Sequence, residues 1–333
     1  MDCSVRTAIV LGLLAVLSAC TGGNRSDDQA GSSLTTPDPY ADVIGANDKA
    51  MFEAEAAAAV AAADERPIEI FAEFDGATYG LVGDGRTDNT VMLQSLLAEP
   101  NRRVTIPPGD YVTGALTIPS NTILVLQPGV TLRDSGRLGE HQRLINILGE
   151  NVRITGRGAR VIADRGAYTT GEQRHGIFIY GAQHVLIEWL ESSSHGGDGF
   201  YIGGDVGSPA SDIVIKGCRA DGNRRQGLSI TSARRVWVID CEFTQTQGTL
   251  PEFGIDIEPD LPGEVLDKLR LIRPRTWANR GGGIQIGLHD LRPTSEPVDI
   301  VVVDHWSLDE SPRVHLHLDD SGQIPGRVLY DSE

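Results

Sequence analysis

The strongest chemical signal in the sequence is an acidic pair, Asp256 and Glu258, in the strand-like segment Phe-Gly-Ile-Asp-Ile-Glu-Pro-Asp at 253–260. Alternate residues of a β-strand point to one face, and a rise of roughly 3.3–3.4 Å per residue places the two Cα atoms about 6.6–7 Å apart. An inverting glycosidase separates its acid and base by about 6.5–9.5 Å, and a nearby carboxylate raises the pKa of its partner. The pair predicts hydrolysis of glycosidic bonds; the alternative is an exposed acidic strand without a catalytic role.

Other candidate site residues lie in strand-like segments similar to 253–260, or just before such segments. Asp198 is a third candidate acid, although an Asx cap at a turn is an alternative role for it. Arginines bind a sugar carboxylate through paired hydrogen bonds, or they pair with nearby acids as a structural network. His195 is more typical of a loop histidine than of a base. The predicted substrate-binding residues are Arg224, Arg225, Tyr201, Gln285, His195, Arg280 and Ser229.

Short strands that recur along the chain must position these residues. Five segments share a glycine followed by alternating apolar residues, and their glycines follow one another at spacings of 23, 28, 27 and 29 residues: Gly176, Gly199, Gly227, Gly254 and Gly283. A second set of β-branched segments runs in step with them, beginning at Val185, Ile213, Val236, Leu269 and Ile300. Such a repeat predicts a single-stranded parallel β-helix, whose coils bury their inward residues by stacking. Antiparallel blades would instead need a hairpin after most strands.

The repeat also predicts which side chains share an outer face. With Ile255 and Ile257 inward, one outward line consists of Phe178, Tyr201, Ser229, Asp256, Gln285 and His315. The next line consists of Tyr180, Gly203, Thr231, Glu258, Gly287 and His317. The acidic pair is therefore expected to lie beside aromatic and polar side chains of the neighbouring coils.

The segment Tyr-Gly-Leu-Val-Gly-Asp-Gly-Arg-Thr-Asp-Asn-Thr at 79–90 resembles the N-terminal motif of the pectate-lyase-like right-handed β-helix superfamily. That superfamily includes polygalacturonases, pectate lyases, alginate epimerases and phage tailspikes. The resemblance implies a capping helix at 89–98 and allows a homotrimer. The segment at 253–258 is also similar to the Tyr-Gly-Phe-Asp-Pro-His strand of mannuronate C5-epimerases, in which Asp256 matches the aspartate. Phe253 and Glu258 replace the two proton-transfer residues, which argues against that mechanism.

The N-terminal part predicts export. Residues 1–19 are typical of a signal peptide, and Leu-Ser-Ala-Cys at 17–20 resembles a bacterial lipobox, which implies lipidation of Cys20 and an outer-membrane or cell-surface location. An ordinary signal peptide is the alternative. Residues 20–47 are expected to form a flexible tether, 48–66 an Ala-rich helical or disordered segment, 67–325 the β-helix and 326–333 a C-terminal tail.

A formal net charge of −17 argues against nucleic acid as a partner, because phosphate binding needs clustered basic residues. No cofactor is predicted, although Asp198, Asp256 and Glu258 would offer oxygen ligands to Ca²⁺. Cys218 and Cys241 follow equivalent strands of adjacent coils, and are expected either as a disulfide or as two small buried side chains.

The leading hypothesis is therefore a cell-envelope enzyme that hydrolyses a polysaccharide. A polysaccharide lyase or uronate C5-epimerase, with an arginine, His195 or Tyr201 as base, is one alternative. A non-catalytic glycan-binding or adhesin β-helix is the other.

Overall fold

The computed structural model describes residues 6–11, 44–309, 313–317 and 324–332. Its body is a parallel β-helix, as the repeat predicts, in which the strands of each coil pair in register with those of the next. Apart from a strand at Arg6–Leu11, which pairs antiparallel with the last strand, the strand pairs within both sheets are parallel.

One sheet has eight short strands: Leu116–Ile118, Ile145–Ile147, Ile177–Tyr180, Phe200–Gly203, Leu228–Ile230, Phe253–Ile257, Gly282–Gly287 and Val314–His317. The other has seventeen: Arg6–Leu11, Ala72–Asp75, Asp84–Asp88, Arg102–Ile106, Gly109–Thr113, Thr122–Leu126, Val130–Asp134, Glu150–Ile162, Gln183–Ser193, Ala210–Lys216, Arg219–Asp221, Ala233–Ile239, Glu242–Thr244, Leu266–Ile272, Arg275–Trp277, Val298–Ser307 and Gly326–Ser332. The larger sheet bends at a corner, which the long strands Glu150–Ile162 and Gln183–Ser193 cross with a shift in register. The coil therefore has three faces.

Inward side chains of successive coils form aliphatic stacks. In the eight-stranded sheet one stack consists of Ile177, Phe200, Leu228, Ile255 and Ile284, which are paired in sequence and fully buried. Because a single coil cannot bury its own apolar face, this stacking supplies the hydrophobic stabilisation that orders the coils.

A short helix closes the first coils. It spans Thr90–Leu96, and Leu93, Leu96 and Leu97 are buried in the core beneath it. In the motif that precedes this helix, Asp84 accepts hydrogen bonds from the backbone N–H groups of Arg86 and Thr87. A capping helix had been expected over 89–98, so the element is present and slightly shorter.

The Ala-rich segment is an ordered helix, Ala46–Glu65, packed against the outside of the coil. Its Phe52 is buried in an apolar cluster with Val214, Trp237 and Val301 on one face of the seventeen-stranded sheet. Glu55 pairs with Lys268 and with the buried Arg270. Apolar packing and ion pairs therefore fix a segment for which disorder had been the alternative expectation.

The expectation of a C-terminal tail at 326–333 was wrong. Gly326–Ser332 is a strand that pairs in parallel with Val298–Ser307, and Val328 and Tyr330 are buried. Arg6–Leu11, within the predicted signal peptide, pairs with the other edge of that strand, whereas Cys20 and residues 12–43 lie outside the described residues. No helix among the described residues is long and apolar enough to cross a membrane.

The two cysteines of the coil are buried and free rather than bonded to each other. The backbone N–H of Cys218 lies 3.4 Å from Cys241 Sγ, so the residues stack in adjacent coils. Of the two alternatives expected for this pair, a disulfide or two small buried side chains, the structure shows the second.

Candidate functional site

The predicted outward line has the predicted register. Phe178 pairs with Tyr201, Tyr201 with Ser229, Ser229 with Asp256, and Asp256 with Gln285, which pairs in turn with His315. Although these side chains point away from the core of the coil, most of them are not exposed to solvent. Asp256 is only 2% exposed and Ser229 is equally buried. These side chains are buried because they stack tightly on one another along the line. The turns that lead into the sheet are also joined by hydrogen bonds, such as the one from the Arg225 backbone N–H to the Gly197 carbonyl.

Asp256 is held by two amides. Gln226 Nε2 donates to Oδ2 over 2.8 Å, and Gln285 Nε2 lies 3.2 Å from Oδ1. Gln226 itself is fixed, because its Oε1 accepts the backbone N–H of Phe253 over 2.7 Å. Burial, followed by the negative charge of Glu258, raises the pKa of Asp256 to about 8, while Arg225 acts in the opposite direction. Asp256 is therefore a carboxylic acid that keeps its proton at neutral pH.

Gln226 was missed by the sequence reasoning. It occupies the position immediately before the repeated glycine, where the equivalent residues are His175, Asp198 and Phe253. Those positions lie in the turns that lead into the sheet. Polar residues at these positions could have indicated the site, but the sequence prediction considered mainly the strands.

Glu258 is the more open member of the pair, with 25% of its side chain exposed. Its Oε1 lies 3.8 Å from His289 Nδ1. Gly287 lies beside it on the next coil, and a Cβ at that position would come within 2.9 Å of Glu258 Oε1. The glycine thus leaves room for the Glu258 carboxylate at the mouth of the site.

Asp198 is a buried anchor rather than a third accessible acid. It is 0% exposed, and its Oδ2 accepts from Ser229 Oγ at 2.9 Å and from Arg225 Nη1 at 3.3 Å. Burial raises its pKa to about 6, although Arg225 opposes the increase. Burial also lowers the pKa of the adjacent His175 well below its ordinary value, so its neutral ring accepts the Asp198 N–H through Nδ1. These contacts favour a structural role for Asp198, and its catalytic role stays a prediction.

Arg225 is the predicted arginine that lies at the site, and its charge is already neutralised. It contacts Asp198, and its Nε is 3.4 Å from Glu172 Oε2. Although burial acts to lower the pKa of Arg225, the surrounding acids Asp198, Asp256, Glu172 and Glu258 raise it overall. The structural-network role, rather than recognition of a sugar carboxylate, matches these contacts.

Three other predicted binding residues lie away from the acidic pair. Arg224 donates to the carbonyls of Gly171 and Thr169, which ties two loops together. Arg280 is 73% exposed and lies 3.5 Å from Glu252. His195 is buried, with Nε2 3.1 Å from the Val161 carbonyl. The contacts of Arg224 and His195 favour structural roles for those two residues, and the substrate-binding role of all three stays a prediction.

Aromatic rings continue the line away from the acids. Tyr201 stacks on Phe178 with centroids 5.1 Å apart, and Phe178 stacks on Tyr180 at 5.2 Å. The guanidinium of Arg143 lies over Phe178 at 4.3 Å. Burial raises the pKa of Tyr201 to about 12, and its hydroxyl is 3.1 Å from Thr231 Oγ1. The rings therefore stack mainly on one another, and they form an aromatic row on the same side of the coil as the acidic pair.

Metal binding is not supported by the described part of the chain, which contains no group of three or more His, Cys, Asp or Glu side chains that could hold an ion. Asp198, Asp256 and Glu258 therefore do not form the Ca²⁺ ligand set considered from the sequence.

Comparison with known proteins gives the fold. Residues 111–258 match the family model described as the right handed beta helix region. Two curated relatives come from Bacillus subtilis: the uncharacterized protein YclG, 26% identical over 236 residues, and the SPbeta prophage-derived uncharacterized protein YorA, 30% identical over 168 residues. The matches cover 58% and 44% of this chain, but only 39% and 28% of those proteins.

Solved structures agree on the architecture. The N-terminal fragment of bacteriophage phi29 gene product 12 superimposes with a TM-score of 0.59 at 18% identity, over 73% of this chain and 43% of that one. A family 28 exopolygalacturonase of Yersinia enterocolitica has a TM-score of 0.51 at 17% identity, over 73% and 55%. Tailspike gp49 of the Acinetobacter baumannii bacteriophage Fri1, a capsular polysaccharide depolymerase, has a TM-score of 0.50 at 14% identity, over 73% and 49%. The geometry of the coil, the matched segment and the likeness to solved structures agree on one conclusion: this chain has the right-handed parallel β-helix fold.

Proposed function

We propose that the protein cleaves glycosidic bonds of a polysaccharide by hydrolysis, with Asp256 as general acid and Glu258 as general base. The observation that carries the proposal is the contrast within this pair. Asp256 is buried and its pKa is raised to about 8, whereas Glu258 lies at the mouth with part of its side chain in water. Two carboxyls in such different environments are typical of an acid and a base in one site.

The geometry suggests how the reaction runs. Asp256 donates its proton to the glycosidic oxygen as the bond from that oxygen to the anomeric carbon breaks. Glu258 takes a proton from a water molecule, whose oxygen forms the new bond to the anomeric carbon. The strand rise places the two Cα atoms about 6.6–7 Å apart. Inversion requires a separation of about 6.5–9.5 Å between the two carboxyl groups, so that the water fits between them.

Substrate access to Asp256 involves Gln285. Gln226 is locked by the Phe253 backbone, while Gln285 makes the longer of the two hydrogen bonds to the carboxyl. The glycosidic oxygen would displace the Gln285 amide from Oδ1 and receive the proton there. Only 2% of Asp256 is exposed, so the protein itself already shields the acid from bulk water.

Two observations support a polysaccharide as substrate. The stacked rings of Phe178, Tyr180 and Tyr201 lie along the same face as the acids. In addition, structurally similar proteins include a capsular polysaccharide depolymerase and an exopolygalacturonase. The lipobox-like residues 17–20 support a place in the cell envelope, with Cys20 as the anchor to the membrane.

The lyase or epimerase alternative has less support, because the proposed bases do not suit proton abstraction. His195 faces the Val161 carbonyl inside the coil, and Arg224 is bonded to backbone carbonyls. The raised pKa of Tyr201, about 12, disfavours its phenolate.

The test measures reducing ends and ultraviolet absorbance after incubation with a panel of neutral and acidic polysaccharides. Hydrolysis produces reducing ends without the absorbance of an unsaturated sugar. Asp256→Asn and Glu258→Gln are each expected to lower the rate by about 10²–10⁴-fold, which is typical for loss of acid or base catalysis. Asp267→Asn, in the strand Leu266–Ile272 of the seventeen-stranded sheet, is the matched control and should retain the wild-type rate.

Unsaturated products that persist in Asp256→Asn would overturn hydrolysis in favour of elimination. Glycan retention without any change in glycan size, in the wild type and both variants, would instead identify a binding module.

A further inference from the structure

A second concave surface lies on a different face of the coil. It is a cleft of about 570 Å³ lined by Trp277, Trp306, Leu308, Arg275, Glu242 and Asp304, among others. The strands Glu242–Thr244 and Arg275–Trp277 belong to the seventeen-stranded sheet, whereas Asp256 belongs to the eight-stranded sheet. The cleft is therefore separate from the acidic pair, and its size is within the range of small-molecule sites, about 300–1,000 Å³.

Two tryptophans form its aromatic wall. Their ring centroids are 6.0 Å apart and the planes meet at 74°, so the indoles form an angle instead of stacking on each other. Trp306 is 36% exposed and the nearby Leu308 is 65% exposed. A group of large apolar side chains exposed on one surface indicates a contact site, whereas single exposed apolar residues are common on protein surfaces.

The polar groups of the cleft are balanced in charge. Arg275 lies 3.8 Å from Glu242, and Asp304 pairs with Lys49 of the long helix. Arg273, also in the lining, pairs with Asp240 over 2.7 Å. With each charge compensated, the cleft offers little net attraction to a phosphate, a uronate or a metal ion.

Hydrogen-bonding capacity nevertheless remains. Trp277 and Trp306 each carry an indole N–H, which is a hydrogen-bond donor only. Fixed charged groups such as Arg275 and Glu242 can still bind hydroxyls through their remaining donors and acceptors. The ligand chemistry that fits is a molecule with apolar ring faces, many hydroxyls and no net charge.

We infer that the Trp277–Trp306 cleft is a binding site for a neutral glycan, distinct from the acidic pair. Angled indoles would contact the faces of successive sugar rings, while Arg275, Glu242 and the indole N–H groups would bind the ring hydroxyls. The site is expected to bind glycan whether or not Asp256 and Glu258 catalyse hydrolysis, so each idea can fail without the other.

Affinity electrophoresis in native gels tests the site, with dextran, amylose, mixed-linkage β-glucan and galactomannan as probes. The wild type should be retarded by at least one of them. Trp306→Ala and Trp277→Ala should weaken that retardation by about tenfold or more, as for an aromatic residue central to an interface. Trp306→Phe should keep part of it, and Asp256→Asn should keep all of it.

Equal thermal unfolding midpoints of wild type and variants show that the tryptophan substitutions leave the coil folded, and Trp306→Phe remains informative if Trp306→Ala does not fold. Absence of retardation by every neutral probe overturns the inference. So does a retardation that Trp306→Phe and Trp277→Ala leave unchanged, or one that is lost in Asp256→Asn. Concentration-dependent self-association in sedimentation that Trp306→Phe abolishes would assign the cleft to a second copy of the chain and also overturn it.

Discussion

Replacing Asp256 by asparagine should change how stability depends on pH. Asparagine has nearly the same shape and does not ionise, whereas the pKa of Asp256 is raised from 3.8 to about 8, chiefly by burial and then by the charge of Glu258. Between these two values the folded protein keeps a proton that the unfolded chain has released. The stability from this group is therefore fully present below the lower value and is lost as pH rises through the upper one.

The magnitude follows from the difference between the two pKa values. They differ by about four pKa units, which corresponds to a change in the free energy of unfolding on the order of 5 kcal/mol. A domain typically has only about 5–15 kcal/mol in total, so the effect should be measurable. Asparagine also has a cost that does not depend on pH, because its amide must face Gln285 while Gln226 stays fixed. That cost cancels when the same variant is compared at two pH values.

Urea unfolding at a pH of about 4, at the lower end of the window, and of about 9, above its upper end, provides the assay. Relative to wild type, Asp256→Asn should gain stability as the pH is raised. The control is Asp267→Asn, because the Asp267 side chain is 40% exposed and 3.5 Å from Arg234; a surface pair of this kind contributes about 0–1 kcal/mol. If wild type and Asp256→Asn lose stability in parallel between the two pH values, Asp256 does not hold a proton in the folded protein and the acid assignment fails.

Two further predictions concern the rest of the coil. Phe52→Ala should lower the free energy of unfolding by about 3–5 kcal/mol, because it leaves a cavity beneath the long helix; a loss below about 1 kcal/mol in urea unfolding would show that the helix does not stabilise the coil, with the exposed Met51→Ala as control. Cys218 and Cys241 should not react with a thiol reagent until the protein unfolds, since both are buried; peptide mapping that finds either of these two residues labelled in the native protein at the rate of a free thiol would contradict their stacked, interior position.

The register of the site was predictable from the sequence because it follows from a repeated physical requirement. Each coil must bury Ile177, Leu228, Ile255 and their equivalents, and strand alternation then directs the next residue outward. This reasoning requires no knowledge of side-chain contacts. It is why Ser229, Asp256 and Gln285 occupy the expected line.

Side chains at the corners were not predictable in the same way, because strand alternation ends there. His195 turns inward, where its backbone N–H donates to Asn223 Oδ1 and its ring takes the space beside Gly176. A Cβ on Gly176 would come within 2.3 Å of His195 Nε2, so the repeated glycine makes the inward position possible. Neighbouring coils, and not the local sequence, decide the direction of such residues.

The last strand was missed for a related reason. Gly326–Ser332 belongs to the seventeen-stranded sheet, in which runs of β-branched residues marked the earlier strands. Val328 is the only β-branched residue of this strand, so its pairing with Val298–Ser307 defines it as part of the β-helix.

Two aspartates that lie two coils apart show how small differences in contacts separate their roles. Asp198 accepts from Ser229 and meets the guanidinium of Arg225 directly, and its pKa is about 6. Asp256 accepts only neutral amide donors, those of Gln226 and Gln285, and its pKa is about 8. Burial opposes the charge of both, but a direct cationic partner stabilises only the Asp198 carboxylate. The arginine therefore keeps the inner carboxylate closer to its ionised form, and the proton available to a substrate is that of Asp256.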